Sequence, residues 1–379
     1  LTSQLTTADR VHLRRALELA EGGRGKVSPN PLVGAVIVRN GGVIGEGFHA
    51  ELGGLHAERA ALADCRERGA DPAGATMYVS LEPCAHRGRQ PPCVEAILEA
   101  GIARVVIASE DPSEKAAGRG PGILRDGGVE VAFAAGEEAA AARLLNQAFR
   151  KHSRTGLPLV TLKLAISLDG RTETAPGDSP WISGAESRAL VHRWRGEADA
   201  IAAGIGTVLA DDPLLTARSG ERGGGAEDGA EQSPRQPLRV VFDSRARLPL
   251  DSKLLASLDV SPVLVVVGAE ADPSRQRALR DAGAELLTID AADAPGRIAA
   301  ALAELGRRDI TSLFLEGGRT LAAAFQAAGQ IDESRTFVAP VLLAGGGDSA
   351  APASRLTALA SSTGRIGKDT LITARYKEW

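Results

Sequence analysis

Apolar and polar positions change period along the chain in blocks. A helical period over Ala8–Glu21 stops at Gly22-Gly23, and a β-rich run follows at Val33–Val38. Asn40-Gly41 then precedes a second run, Val43–Phe48. Asn-Gly between two such runs signals a hairpin, because both turn positions need positive φ. Helical spacing returns over Ala57–Arg68 up to Gly69 and over Cys93–Ala100 up to Gly101. Between and beyond these lie strand candidates at Thr76–Leu81, Val105–Ala108 and Val129–Phe133. Strands alternating with helices predict a helix-covered α/β layer over residues 1–150.

A short basic stretch holding Gly and Pro, Lys151–Pro158, marks the expected domain boundary, with a second domain over 151–379. Its strand candidates are Leu159–Leu164, Ala200–Ala203, Leu238–Phe242, Val263–Val267, Leu313–Leu315 and Thr336–Val338. The run Ser219–Gln236 is rich in Gly, Glu and Ser, buries little apolar surface, and is read as a mobile surface loop. No internal repeat is visible.

Composition narrows the function classes. The 379 residues carry a formal net charge of −4 and only 3% aromatic residues, so neither a polyanion-attracting field nor stacking platforms for bases are offered. A nucleic-acid partner is not expected. Three cysteines, Cys65, Cys84 and Cys93, give no disulfide framework and suit reduced surroundings. With no leader pattern and no long apolar stretch, the expected setting is cytoplasmic, without a membrane.

The strongest chemical signal is His56-Ala57-Glu58, followed by Pro83-Cys84 and Pro92-Cys93. Zinc takes imidazole and thiolate ligands, and a catalytic zinc keeps three protein ligands with one place open for water. His56, Cys84 and Cys93 supply that set, each placed at the start of an expected helix after a strand. Glu58 lies close enough to move protons without being a ligand. Zinc deaminases share such an H-x-E with a later P-C-x-x-C. Here eight residues, AHRGRQPP, separate the cysteines where that pattern has two. Cys65, inside the expected 57–68 helix, reads as a buried thiol.

The strings NPLVGAVIV (Asn30–Val38), HAERAAL and VSLEPCAHRGRQPPC resemble the bifunctional diaminohydroxyphosphoribosylaminopyrimidine deaminase/aminouracil reductase family of riboflavin synthesis. The long inter-cysteine loop with His86, Gly88 and Arg89 separates that family from cytidine, guanine and tRNA-adenosine deaminases. The resemblance implies a cytidine-deaminase-like three-layer α/β/α domain acting on a phosphorylated ribosylaminopyrimidine, 2,5-diamino-6-(5-phosphoribosylamino)pyrimidin-4-one. On charge grounds His86, Arg89 and Lys115 are candidate phosphate or ring contacts, with solvated loop charges as the alternative. The Asn30 amide is a candidate reader of the pyrimidine edge.

The second half lacks G-x-G-x-x-G, yet Glu316-Gly317-Gly318-Arg319-Thr320 stands between an expected strand and an Ala-rich helix, a junction where backbone N–H groups can meet phosphate. LKLAISLDGRT (from Leu162), SPWISG (from Ser179), GIGTVLADDPLLTAR (from Gly204), VVFDSRARLP (from Val240) and FLEGGRTL (from Phe314) are similar to the reductase half of the same family. The likeness therefore covers roughly residues 8–345.

For the C-terminal part, the resemblance implies a dihydrofolate-reductase-like α/β domain that uses NADPH to reduce the ribosyl group of 5-amino-6-(5-phosphoribosylamino)uracil. It implies NADPH contacts at Ala165, Trp181, Thr207, Asp211, Ser244 and the stretch Gly318, Arg319, Thr320, Leu321, Ala322, Ala323 and Ala324. Substrate contacts fall on Ser179, Arg195, Leu215, Arg218 and Glu316. Arg195 and Arg218 suit a sugar phosphate. Ser244 with Arg245 or Arg247 suits the adenosine 2′-phosphate, and Lys163 and Asp211 are candidates for proton handling. Whether Arg319 reaches phosphate or solvent stays open. A homo-oligomer, dimer or tetramer, is also implied. Two other readings compete. A base deaminase with a C-terminal binding module needs basic, aromatic-bearing surfaces, and a structural zinc protein leaves Glu58 without a task.

Overall fold

The computed structural model describes residues 5–87, 90–113, 116–172, 181–218, 235–343 and 355–379. The chain divides into two compact units, Leu1–Gly156 together with Trp379, and Leu157–Glu378. The expected boundary at 150/151 falls inside a helix, Gln147–Thr155, which ends at Gly156 with φ +69°. The residues at 151–155 thus form its last turns, and the break between the units, after Gly156, lies within the expected boundary stretch Lys151–Pro158.

In the first unit the strands are β1 Gly34–Arg39, β2 Gly42–Phe48, β3 Thr76–Val79, β4 Arg104–Ile107 and β5 Glu130–Phe133. The helices are α1 Thr7–Ala20, α2 Ala57–Glu67, α3 Cys93–Glu99, α4 Arg119–Asp126, α5 Glu137–Leu145 and α6 Gln147–Thr155. The sheet order is β2-β1-β3-β4-β5, antiparallel across β1 and parallel from β3 to β5. Asn40 and Gly41 have φ of +53° and +78°, the two-residue hairpin that the Asn-Gly signal predicts. Alternation along the strands sorts side chains to two faces. Ile37, Met77, Val105 and Ile107 pack on one side with α2, α3 and α4. Val36, Tyr78 and Val106 pack on the other with Leu13 and Ala16 of α1 and Ala142 of α5. This is the expected three-layer α/β/α arrangement.

Two glycines let α2 lie directly on β2. A Cβ at Gly47 would stand 2.3 Å from the Ala61 nitrogen, and one at Gly45 would stand 2.5 Å from the Ala61 oxygen. Side chains at either position would lift the helix whose first turn carries His56 and Glu58.

The second unit begins with β6 Leu159–Ser167, β7 Ala200–Gly204, β8 Leu238–Phe242 and β9 Val263–Gly268. It continues with β10 Glu285–Ile289, β11 Ser312–Leu315, β12 Glu333–Ala339, β13 Ala360–Ile366 and β14 Asp369–Arg375. Its helices are α7 Ala185–Glu197, α8 Ile205–Asp211, α9 Lys253–Ala256, α10 Pro273–Asp281, α11 Ala294–Arg307 and α12 Arg319–Ala327. The nine strands run β10-β9-β8-β7-β11-β6-β12-β14-β13, parallel except where β14 pairs with β12 and β13. Both faces are covered, one by α7, α8 and α10 and the other by α11 and α12. Near-continuous apolar strands such as VLVVVG at β9 follow from that double burial. Of the expected mobile loop 219–236, residues 219–234 lie outside the described residues. Arg235 is held by Asp199 at 2.9 Å and Gln236 by Ala217.

The buried Asp9 ties α1 to the sheet. It closes a capping box with Thr6 and also accepts from Tyr78 Oη (2.8 Å) and Arg104 Nη1 (2.7 Å). Burial alone would raise its pKa, but Arg104, the Thr6 amide and the Tyr78 hydroxyl hold it well below the ordinary carboxylate range. Its contribution is therefore present above the unfolded carboxylate pKa and is lost as pH falls through the lowered folded value. Asp9→Asn is expected to destabilise the protein by about 1.5–3 kcal/mol at pH 7. In denaturant titrations, the gap to wild type should narrow below about pH 4. A gap that is constant down to pH 2 would contradict this account.

Candidate active sites

His56 is the N-cap of α2, Cys93 the first residue of α3, and Cys84 lies in the segment after β3. No helix starts at Cys84, which corrects that detail of the expectation. Its position comes instead from backbone bonds: Val94 N donates to the Cys84 oxygen (3.3 Å), and Cys93 N donates to its sulfur (3.3 Å). The donor atoms of His56, Cys84 and Cys93 all lie within 4.8 Å of one another. His56 Nδ1 is 3.5 Å from Cys84 Sγ and 3.3 Å from Cys93 Sγ. Donors around a tetrahedral zinc stand roughly 3.5 Å apart, so the triad fits such an ion. Among the described residues this group has three members, which leaves a coordination place open.

Glu58 is 3% exposed, in the first turn of α2, and its carboxyl reaches the Cys93 thiol. Burial, helped by the charge at Cys84, pushes it up to about 7. A carboxyl poised near neutrality can take a proton and return it. Between the thiols, the hydrogen bond with Cys93 pulls Cys84 down to about 4, and the same bond pushes Cys93 up. A bound metal favours both as thiolates. Cys65 is buried in α2, against the Ala70 oxygen, as expected.

Asn30 reaches this site through a residue that the sequence reading missed. His49 is 3% exposed, and its ring lies edge-on to that of His56 with centroids 5.4 Å apart. Its Nδ1 is 2.9 Å from the Leu55 oxygen and must donate there, so a neutral ring accepts at Nε2 from Asn30 Nδ2 (3.1 Å). Burial lowers the His49 pKa and favours that neutral form. The Asn30 carbonyl is then turned away from His49. The available signal was a histidine at the end of the second hairpin strand, seven residues before His56. His86 is exposed on the loop between the cysteines, whereas Gly88, Arg89 and Lys115 lie outside the described residues.

In the second unit, the residue after β11 gathers charge. Glu316 accepts from Arg195 Nε (2.6 Å) and Nη2 (2.9 Å), and Lys163 Nζ stands 4.0 Å away. Burial would raise Glu316, but Arg195 and then Lys163 hold it below its ordinary value. Arg195 Nη1 and His192 Nδ1 both donate to the Thr216 oxygen, at 3.1 and 3.2 Å. Arg195 is thus committed to Glu316 and Thr216, and Arg218 is the exposed cation of the pair assigned to phosphate. Leu215 is 2% exposed with φ +52°.

Next to this group, α12 starts at Arg319 with Gly318 as an N-cap that has no side-chain hydrogen bond. Gly318 N donates to Thr207 Oγ1 at 3.2 Å, which places the α8 and α12 starts side by side. A Cβ at Gly318 would stand 3.2 Å from that hydroxyl oxygen, and one at Gly317 would stand 3.1 Å from Leu321. Open amides at a helix start favour phosphate. Ala165 is half-buried in β6, Asp211 is exposed, and Ser244 is half-buried just past β8. Arg247 leans on Asp243 at 3.4 Å while Arg245 is exposed. Trp181 is 62% exposed with the Arg188 guanidinium 5.0 Å from its ring centre. Ser179 lies outside the described residues. His192 and Thr216 were missed, because their role runs through a backbone carbonyl that no motif displays.

Residues 6–109 match the cytidine and deoxycytidylate deaminase zinc-binding region, and residues 158–368 match the RibD C-terminal domain. The riboflavin biosynthesis protein RibD of Escherichia coli (strain K12) is 40% identical over 341 residues, 88% of each chain. The solved Acinetobacter baumannii RibD is 38% identical, with a TM-score of 0.82 over 98% of this chain and 99% of that one. A diaminohydroxyphosphoribosylaminopyrimidine deaminase/5-amino-6-(5-phosphoribosylamino)uracil reductase from Thermotoga maritima is 32% identical, with a TM-score of 0.82 and the same coverage. Among the described residues no helix is long and apolar enough to cross a membrane. With a metal-ready triad in one unit, a phosphate-ready helix start in the other, and relatives matching nearly end to end, the chain belongs to the RibD family of bifunctional deaminase/reductases of riboflavin biosynthesis.

Proposed function

We propose that the first unit deaminates 2,5-diamino-6-(5-phosphoribosylamino)pyrimidin-4-one with one zinc per chain, and that the second reduces the ribosyl group of the deaminated product with NADPH. The observation that carries this reading is the buried Glu58 carboxyl beside three metal donors with an open place. His56, Cys84 and Cys93 hold the zinc, which supplies the Lewis acidity that makes water nucleophilic near neutral pH. Glu58 takes the proton from water and returns it to the departing ammonia. Asn30, oriented by His49, presents its carbonyl to the pyrimidine edge. His86, with Arg89 and Lys115, remains assigned to phosphate or ring contacts.

In the second unit NADPH supplies the hydride. We assign its phosphates to the α12 start, Gly318–Ala324, with Thr207, Asp211, Ala165 and Trp181 along its length. Ser244 with Arg245 is assigned to the 2′-phosphate, since Arg247 is drawn to Asp243. Glu316, kept charged by Arg195, accepts from substrate hydroxyls, and Arg218 meets the sugar phosphate, with Leu215 and Ser179 beside it. Lys163, next to Glu316, is the proton source closest to that carboxylate in our assignment. The edge strand β13, exposed from Ala360 to Arg365, supports the implied homo-oligomer, and cysteines that form no disulfide suit a cytoplasmic setting.

The purified protein is expected to release ammonia from the diaminopyrimidinone without NADPH, and to oxidise NADPH only after that step. Ammonia without oxidation would remove the reductase assignment, and no ammonia from zinc-loaded protein would remove the substrate assignment. Glu58→Gln should keep its zinc and lose roughly 10²–10⁴-fold in ammonia release. By elemental analysis, Cys93→Ser should lose zinc while Cys65→Ser keeps it. Full zinc in Cys93→Ser would place the metal elsewhere.

A further inference from the structure

Residues 212–218, after α8, have no regular secondary structure, and they include Leu215 and Arg218, assigned above to the reductase substrate. Leu215 holds φ +52°, a conformation that side chains rarely adopt unless their surroundings enforce it. The surroundings here are side chains that grip the loop backbone. Arg195 and His192 donate to the Thr216 oxygen. On the far side of Leu215, Arg239 Nη1 donates to the Leu214 oxygen at 3.2 Å. Gln236 pairs with Ala217 as a strand would, Oε1 accepting from its nitrogen (3.0 Å) and Nε2 donating to its oxygen (2.9 Å).

Arg239 is 0% exposed in β8. Burial pushes it down to about 10, which leaves it charged at neutral pH. Its partners among the described residues are carbonyls and a hydroxyl: the Leu214, Ser257 and Ser261 oxygens and Ser257 Oγ. Burying a cation is costly; the charge of Asp259 offsets part of that cost, and these acceptors supply the direct contacts. A hydrophobic residue would fill the strand position at less cost but could not fix the Leu214 carbonyl.

We propose that Arg239 and Gln236 are positioning residues of the reductase, holding loop 212–218 in the one conformation that presents the exposed Arg218 and the backbone at the core-buried Leu215 to the phosphorylated substrate. The inference rests on the assignment of that loop to substrate made above. Neither residue meets substrate itself. They act through the backbone, and remove before binding the freedom that substrate would otherwise have to quench.

The test uses the full-length enzyme with deaminated pyrimidine as substrate. In Gln236→Ala and Arg239→Met, KM for that substrate should rise about tenfold or more, with a smaller change in kcat. NADPH affinity by fluorescence titration and ammonia release by the same chain should stay at wild-type values. Arg239→Lys, which keeps a donor, should recover part of the loss. Should Arg239→Met fail to fold, the half-exposed Gln236 decides. NADPH affinity falling in step with KM in Gln236→Ala would indicate general loosening and overturn the proposal. Unchanged KM in Gln236→Ala beside a raised KM in Arg218→Ala overturns the proposal alone. Unchanged KM in Arg218→Ala overturns the substrate reading, and the proposal with it.

Discussion

The deaminase site depends on close backbone packing of α2 against β2. Glycines at 45 and 47 allow the helix to touch the strand, and the helix start then carries His56 and Glu58 to the two cysteines. Without that approach the imidazole would not stand 3.3 Å from Cys93 Sγ, nor would the Glu58 carboxyl be buried enough to titrate near 7. The donor cluster and the buried carboxyl beside it thus share one mechanical cause. His49 adds to it, because the neutral ring fixed by the Leu55 carbonyl decides which end of the Asn30 amide faces outward.

The second unit reaches its chemistry by a different route. Parallel strands bring their carboxyl ends together, and the helix starts that follow β7 and β11 meet through Thr207 and Gly318. Beside them the Glu316 carboxylate, 10% exposed, remains ionised because a bidentate guanidinium and a lysine offset its desolvation. The result is an electropositive helix start beside a negative acceptor, the two features our proposal gives to cofactor phosphate and substrate hydroxyls.

Legibility followed locality. His56, Glu58, Cys84 and Cys93 could be read because zinc chemistry leaves a short linear trace, and the Asn-Gly hairpin because positive φ selects residue types. The β9 strand could be read because burial on both faces writes a continuous apolar run. By contrast β13, ASSTGRI, is exposed at six of its seven positions, and therefore shows no apolar period to find. Nor did the half-exposed β10, or β14, the antiparallel partner of β13, stand out. The stretch Lys151–Pro158 could be read as a boundary because its Gly and Pro are visible in sequence, whereas the helical placement and burial of Lys151 in α6 are tertiary facts. His192, Arg239 and Gln236 escaped notice because each acts on a backbone carbonyl, and carbonyls carry no residue identity.

The central claim is that one chain holds two chemically separate sites, one dependent on metal and one not. The direct measurement is to strip the protein of metal with a chelator and assay each half-reaction on its own substrate. Ammonia release from the diaminopyrimidinone should vanish and return with added zinc, while NADPH oxidation with the deaminated pyrimidine should keep its rate throughout. Ammonia release that survives complete metal removal, or NADPH oxidation that falls with it, would contradict the account.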